Sequence, residues 1–145
     1  MARILFIDDD QDVGKFTKES IEKFHQVDWI RADYWQTAES LIVQIKEPVW
    51  DLLLLDLAYP TDIWGGIWLF NSLARKGFRD RWSRREIVYS KHFAQNSELQ
   101  RANDGFMFGL RVFLDSANIP LDCALPNQSF DRVTLLEKIE EVLKR

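Results

Sequence analysis

Ile4-Leu5-Phe6-Ile7-Asp8-Asp9-Asp10 and Leu52-Leu53-Leu54-Leu55-Asp56 decide how this chain folds. Each is a short, continuous apolar run, the pattern of a strand buried on both faces, and each stops on carboxylates. If the two strands lie side by side, three or four negative charges meet at one end of a sheet. Like charges at close range resist joint ionisation, so such a cluster is costly unless a cation neutralises it. Mg²⁺ suits that task, because it takes hard oxygen ligands and is held by one or two carboxylates with water and phosphate. The pattern points to a metal-assisted site that handles a phosphoryl group, or to the remains of one.

Strand and helix signals alternate outward from these runs. The first strand is Arg3 to Ile7. A helix from about Asp12 to His25 follows, with Val13, Phe16, Ser20 or Ile21, and Phe24 at helical spacing and Asp12 as its cap. A second strand is expected over Trp29 to Ala32. A helix over Gln36 to Lys46 then turns Ala38, Leu41, Ile42 and Ile45 inward, and Pro48 stops it. The third strand is Leu52 to Leu55. The third helix begins near Gly65 or Gly66, carries Ile67, Leu69, Phe70 and Leu73, and ends at Gly77. A fourth strand over Glu86 to Tyr89, a helix over Phe106 to Ala117, a short strand over Leu121 to Leu125 and a helix over Asp131 to Leu143 complete the series. The last helix has Leu135, Ile139, Val142 and Leu143 as its apolar stripe. Such βα alternation implies a mainly parallel sheet with helices on both faces.

Composition narrows the class. The chain has 145 residues, within the usual range for one domain, and 46% hydrophobic residues with six Trp argue for a packed globule. A net charge of −4 gives no footprint for direct nucleic-acid binding. The basic stretch Arg75, Lys76, Arg79, Arg81, Arg84 and Arg85 reads as a solvated helix end and loop. Cys123, the single cysteine, excludes an intramolecular disulfide, fits a reducing compartment and reads as a core residue. No apolar run approaches the roughly 18 residues of a membrane helix, and no signal peptide is evident. A cytoplasmic protein without membrane contact is the expectation.

With these elements in place, the sequence resembles the receiver domain of bacterial response regulators. Ile4 to Val13 is similar to that family's opening strand and acidic turn. Trp50 to Pro60, with a proline four residues beyond Asp56, is similar to its phospho-acceptor strand. Leu125-Pro126 followed by Phe130-Asp131 and Leu135 to Ile139 resembles its last strand and helix. The likeness runs nearly the whole chain in order. It implies a flavodoxin-like, doubly wound α/β fold, a five-stranded parallel sheet of order 2-1-3-4-5, in one receiver-like domain over residues 1–145. The site would lie at the carboxyl ends of strands 1 and 3, where the order reverses.

The resemblance also implies roles. Asp8 and Asp9 match the acidic pair that holds Mg²⁺ with Asp56 and the backbone carbonyl of Ala58. Asp56 matches the acceptor of a phosphoryl group from a histidine kinase or phosphotransfer protein. Ser90 matches the hydroxyl that contacts the phosphoryl group and moves on switching. A stand-alone receiver of a two-component phosphorelay would then signal to a downstream protein target, with a second copy of the chain (a homodimer) as a candidate partner, and would not itself be an enzyme. Two positions depart from the family. Its lysine after strand 5 is missing, with Asn127 or Gln128 in its place, and Lys91 beside Ser90 is the candidate substitute cation. The strand from Leu121 to Leu125 also lacks the usual aromatic switch partner.

Two loops are long. Thr61 to Gly66 brings Trp64 beside the site, and Lys91 to Asp104 exceeds the family's loop and contains a helix-like stretch, Ser97 to Arg101, suited to a lid. In an alternative alignment the fourth helix starts in that stretch and Phe108 to Asn118 is the insertion. Trp64, Phe93, Phe106 and Phe108 are candidates for an exposed contact patch. Two other functions fit parts of the sequence. One is a pseudo-receiver that binds partners without phosphorylation, in keeping with the missing lysine. The other is a phosphotransferase of the haloacid-dehalogenase type, with Asp8 as nucleophile and Asp10 as acid/base; it leaves Asp56 without a role.

Overall fold

The computed structural model describes residues 1–47, 49–90, 104–126 and 132–145, with side chains left aside at 104–107 and 126. The expected loop Lys91 to Asp104, with Lys91, Phe93 and Ser97 to Arg101, falls outside these residues apart from Asp104 itself, as do Asn127, Gln128 and Asp131. The chain runs β1 (Arg3–Ile7), α1 (Gln11–Glu22), β2 (Gln26–Ile30), α2 (Trp35–Val43), β3 (Leu52–Asp56), α3 (Gly65–Arg75), β4 (Glu86–Ser90), α4 (Asp104–Ala117), β5 (Ala124–Pro126) and α5 (Arg132–Leu143). Short 3₁₀ turns at Phe78–Trp82 and Leu121–Cys123 precede β4 and β5. The five strands form one parallel sheet of order β2-β1-β3-β4-β5. The fold class expected from the sequence is the one found.

Burial explains which elements the sequence marked well. β1, β3 and β4 occupy the centre of the sheet and are covered on both faces, so nearly every residue in them is buried. β2 is an edge strand and starts three residues before the apolar pair Trp29-Ile30 that signals it. Asp28 is tolerated inside it because Arg3 Nε donates to its carboxylate at 2.7 Å and Trp50 Nε1 does so at 2.7 Å. The opposite edge, β5, is shorter than the expected Leu121 to Leu125, because Leu121–Cys123 coils into a turn first. Pro126 is accommodated because an edge strand needs no N–H on its open side.

The apolar face of α1 is rotated from the expected one. Gly14, Thr17 and Ile21 are buried, whereas Phe16 and Phe24 are more than half exposed. The indole of Trp29 sets this orientation, since a Cβ on Gly14 would lie 2.5 Å from its ring. Asp10 rather than Asp12 caps the helix, its Oδ1 accepting from the N–H groups of Asp12 and Val13 at 3.0 Å each. The exposed Phe16 ring carries the guanidinium of Arg132 from α5. On the other face, α2 ends at Val43 rather than Lys46 and leaves Leu41 exposed, while α3 buries Ile67, Leu69, Phe70 and Leu73 as expected. α4 packs through Leu110, Phe113, Leu114 and Ala117, with Phe113 edge-on to Phe70 of α3. Residues 106–117 are thus helical, as expected; the stretch Ser97 to Arg101, on which the alternative alignment turns, lies outside the described residues.

The basic stretch is solvated only in part: Arg75, Lys76 and Arg84 are exposed, whereas Arg79 and Arg81 turn inward. Arg79 donates to both carboxylate oxygens of buried Glu86 and to the Ala117 carbonyl, and Trp82 Nε1 adds a bond of 2.7 Å to Glu86. Arg81 stacks on Trp50 and Phe78. Through Glu86 and the Ala117 carbonyl, Arg79 fastens the start of β4 to the end of α4. Cys123 is buried, as expected. At the start of the chain, the Ala2 N–H donates to His25 Nδ1, and His25 Nε2 meets Glu140 of α5.

Gly66 holds α3 against the end of β3. Its N–H donates to the Leu57 carbonyl at 2.8 Å, and a Cβ there would sit 2.4 Å from Leu57 Cα and 2.6 Å from the Asp56 carbonyl oxygen. Backbone cannot yield as a side-chain tip can. Gly66→Ala should therefore cost at least the 1–3 kcal/mol typical of overpacking, read as a lower urea midpoint with an unchanged m-value.

Candidate functional site

The parallel register of β1 and β3 pairs Ile7 with Leu55, so Asp8 follows one strand beside Asp56 at the end of the other. The sequence thereby brings carboxylates together at the point where the strand order reverses. Oxygens of Asp8, Asp9 and Asp56 all lie within 4.8 Å of one another. Asp8 and Asp56 are buried and Asp9 is partly so. Three hard oxygens this close fit a small divalent cation whose shell water completes. Opposite ligands of an octahedral Mg²⁺ stand about 4.2 Å apart, so a small side-chain rotation closes the set.

Two of the three carboxylates are held by the local backbone. Asp8 Oδ1 accepts from the Asp10 N–H at 2.9 Å, and Trp29 Nε1 donates to the Asp8 carbonyl at 3.0 Å. Asp56 Oδ1 accepts from the Ala58 N–H at 3.1 Å. The Ala58 N–H thus lies beside the Asp56 carboxylate. Ser90 is fully buried at the end of β4, level with Pro126 of β5. Trp64 is partly buried and turned toward α4, where its indole abuts Gly109, and Phe108 is exposed.

Tyr89 is the site residue that the sequence reading missed. Its ring is buried, it pairs with Asp56 across the sheet, and its hydroxyl donates to Asp8 Oδ2. The signal was present in the register: Asp56 and Tyr89 occupy paired positions of adjacent parallel strands, so their side chains project to the same face. Nothing in the apolar pattern alone reveals it.

Electrostatics follow from burial and crowding. Burial pushes the Asp8 carboxyl up to about 6, against the pull of hydrogen bonds from Tyr89 and Asp10 and with a further push from Asp9. Asp56 is raised well above the ordinary carboxylate range, first by burial, then by the charge of Asp8. The phenols of Tyr89 and Tyr59 are raised by burial and by the same carboxylates, so both remain protonated donors at neutral pH.

Sequence comparison finds no matching family model and no matching curated protein. Comparison of structures does find relatives in fold. The Francisella response regulator 1452 receiver domain superposes with a TM-score of 0.65 at 19% identity, over 100% of this chain and 98% of that one. The Vibrio cholerae chemotaxis protein CheY4 gives 0.65 at 13% identity, over 98% of both chains. The BeF3-activated N-terminal receiver domain of Klebsiella pneumoniae RstA gives 0.62 at 19% identity, over 99% of both.

The fold is that of response-regulator receiver domains. The receiver fold spans the chain with its strand order intact, and the acidic cluster lies at the sheet's switch point. No helix among the described residues is long and apolar enough to cross a membrane.

Two measurements follow from the charge balance. Stability from the raised Asp8 carboxyl is fully present below about pH 4 and is lost as pH rises through about 6. Melts of metal-free protein should fall over that window, and Asp8→Asn should remove a component on the order of 2–3 kcal/mol. Tyr89→Phe strips ionised Asp8 of its donor. It should destabilise the protein by about 1–3 kcal/mol at pH 7.5 and by less at pH 5, where Asp8 is protonated.

Proposed function

We propose that this chain is a receiver domain of two-component signalling that accepts a phosphoryl group on Asp56. The observation that carries the reading is the convergence of Asp8, Asp9 and Asp56 within 4.8 Å at the switch point of a receiver fold. In the transfer, an Asp56 carboxylate oxygen forms a bond to phosphorus as the donor's phosphorus–nitrogen bond breaks. The leaving imidazole nitrogen keeps the electron pair and takes a proton from solvent. Asp8, Asp9, Asp56 and the Ala58 carbonyl would hold Mg²⁺. The cation supplies charge that favours ionised Asp56 and offsets the phosphoryl oxygens. The Ser90 hydroxyl is the expected contact to one such oxygen, and Lys91 remains a candidate cation.

In this reading residues 1–145 form one domain with an extended segment at about 91–104, cytoplasmic and not an enzyme in its own right. Its partners are a histidine kinase or phosphotransfer protein, a downstream protein target and a second copy of itself. A phosphorylation-independent interaction module is the second reading. It is favoured by Tyr89, whose hydroxyl satisfies Asp8 without any metal. The dehalogenase-type reading loses its acid/base, because the Asp10 carboxylate caps α1.

Incubation with Mg²⁺ and a small acyl phosphate, followed by intact mass, tests the reading. Wild type should gain one phosphoryl group and Asp56→Asn none, and millimolar Mg²⁺ should raise the melting temperature of wild type. Labelling that survives Asp56→Asn would move the nucleophile to Asp8. Neither labelling nor a metal-dependent melt shift would favour the phosphate-independent module.

A further inference from the structure

Tyr89 sits on β4 and Asp8 follows β1, and the strand order puts β3 between them. The hydroxyl of Tyr89 nevertheless donates to Asp8 Oδ2. Adjacent strands stand about 4.8 Å apart, so a bond from β4 to the end of β1 has to cross above the end of β3. Asp56 is there, and its register partner is Tyr89, so the phenol and the Asp56 carboxylate project from the same face of the sheet. The phenol therefore lies in the small space where oxygens of Asp8, Asp9 and Asp56 come within 4.8 Å of one another.

Burial makes this contact a choice between partners. Asp8 is 1% exposed and Tyr89 7%, so bulk water does not take the phenol's place. Both Asp8 oxygens are in use, Oδ1 by the Asp10 N–H and Oδ2 by the phenol. The Asp10 N–H is fixed in the turn that enters α1, whereas a hydroxyl proton rotates to suit its surroundings. That hydroxyl presents the positive end of its dipole to Oδ2. A divalent cation presents positive charge to the same oxygen, and the two repel when crowded together. Phe or Leu would fill the apolar volume on β4 without any hydroxyl, so packing does not account for it.

We propose that the Tyr89 hydroxyl and a divalent cation compete for Asp8, so that Tyr89 sets how tightly the site takes its metal. This rests on the metal site of the acceptor reading above and adds its regulation. Without metal, the phenol supplies the buried Asp8 carboxylate with a donor. With metal, that bond is given up, and its loss is subtracted from the affinity for the cation. Tyr89 thereby raises the Mg²⁺ concentration at which Asp56 becomes ready for a phosphoryl group.

Competition leaves a signature of its own, because removing the hydroxyl weakens the metal-free fold and strengthens metal binding together. Mg²⁺ is titrated calorimetrically into EDTA-treated wild type and Tyr89→Phe, with thermal melts of both across the metal range. Tyr89→Phe should bind Mg²⁺ about tenfold more tightly, the change expected when a hydrogen bond to a charged group is lost from the metal-free state alone. Its deficit in melting temperature should close as Mg²⁺ saturates. Should Tyr89→Phe fail to fold, wild type carrying ¹³C at tyrosine Cζ decides: Mg²⁺ should move the Tyr89 resonance. Equal or weaker Mg²⁺ binding by folded Tyr89→Phe, or an unmoved Tyr89 resonance in metal-saturated wild type, would overturn the proposal. Labelling of Asp56 by acyl phosphate in wild type would then leave the acceptor reading standing. Tighter binding with no labelling of Asp56 supports the competition and sinks the acceptor reading instead. If neither protein binds Mg²⁺, the metal site and the competition fall together.

Discussion

Asp8, Asp9 and Asp56 repel one another, and much of the surrounding structure serves to hold them together in spite of it. The β1–β3 register fixes their separation, and covering the central strands on both faces keeps that register from slipping. Gly66 draws the N-terminus of α3 against the backbone just beyond Asp56. Backbone N–H groups of Asp10 and Ala58 then accept the job of solvating oxygens that water barely reaches. Remove the apolar sheet and the carboxylates would drift apart. Remove the donors and burial would push Asp8 and Asp56 further toward their neutral forms.

Much of this was legible in the chain. Strands buried on both faces announce themselves as unbroken apolar runs, which is why Ile4 to Ile7, Leu52 to Leu55 and Ile87 to Tyr89 mark the centre of the sheet. Edge strands obey weaker rules. Asp28 lies inside β2 because Arg3 and Trp50 satisfy it, and no local pattern encodes partners so far away in sequence. The face of α1 was misjudged for a similar reason. Counting apolar residues favours Phe16, whereas the bulk of Trp29 favours Gly14.

Charged and polar residues were read least well. A run of arginines near Arg79 looks like a wet surface, yet Glu86 draws one of them inward and aromatic rings hold another. Tyr89 looks like one more strand residue until the register places it opposite Asp56. In each case the sequence displays the residue, and only the pairing of distant elements displays its partner. Carboxylates at strand ends are the exception, because their position at the close of an apolar run already states where they must go.

The bond from Ala2 to His25 and on to Glu140 has a bearing on how the chain is assembled. It ties the entrance of β1 and β2 to the last helix, across 115 positions of sequence in its second link. As the polypeptide leaves the ribosome, β1, α1 and β2 emerge long before α5 exists to cover them. β1 must also wait for β3 before both its edges are paired. The early half therefore spends its first seconds with apolar surface and strand edges open, the condition under which newly made chains need protection from one another. Docking of α5 closes that interval.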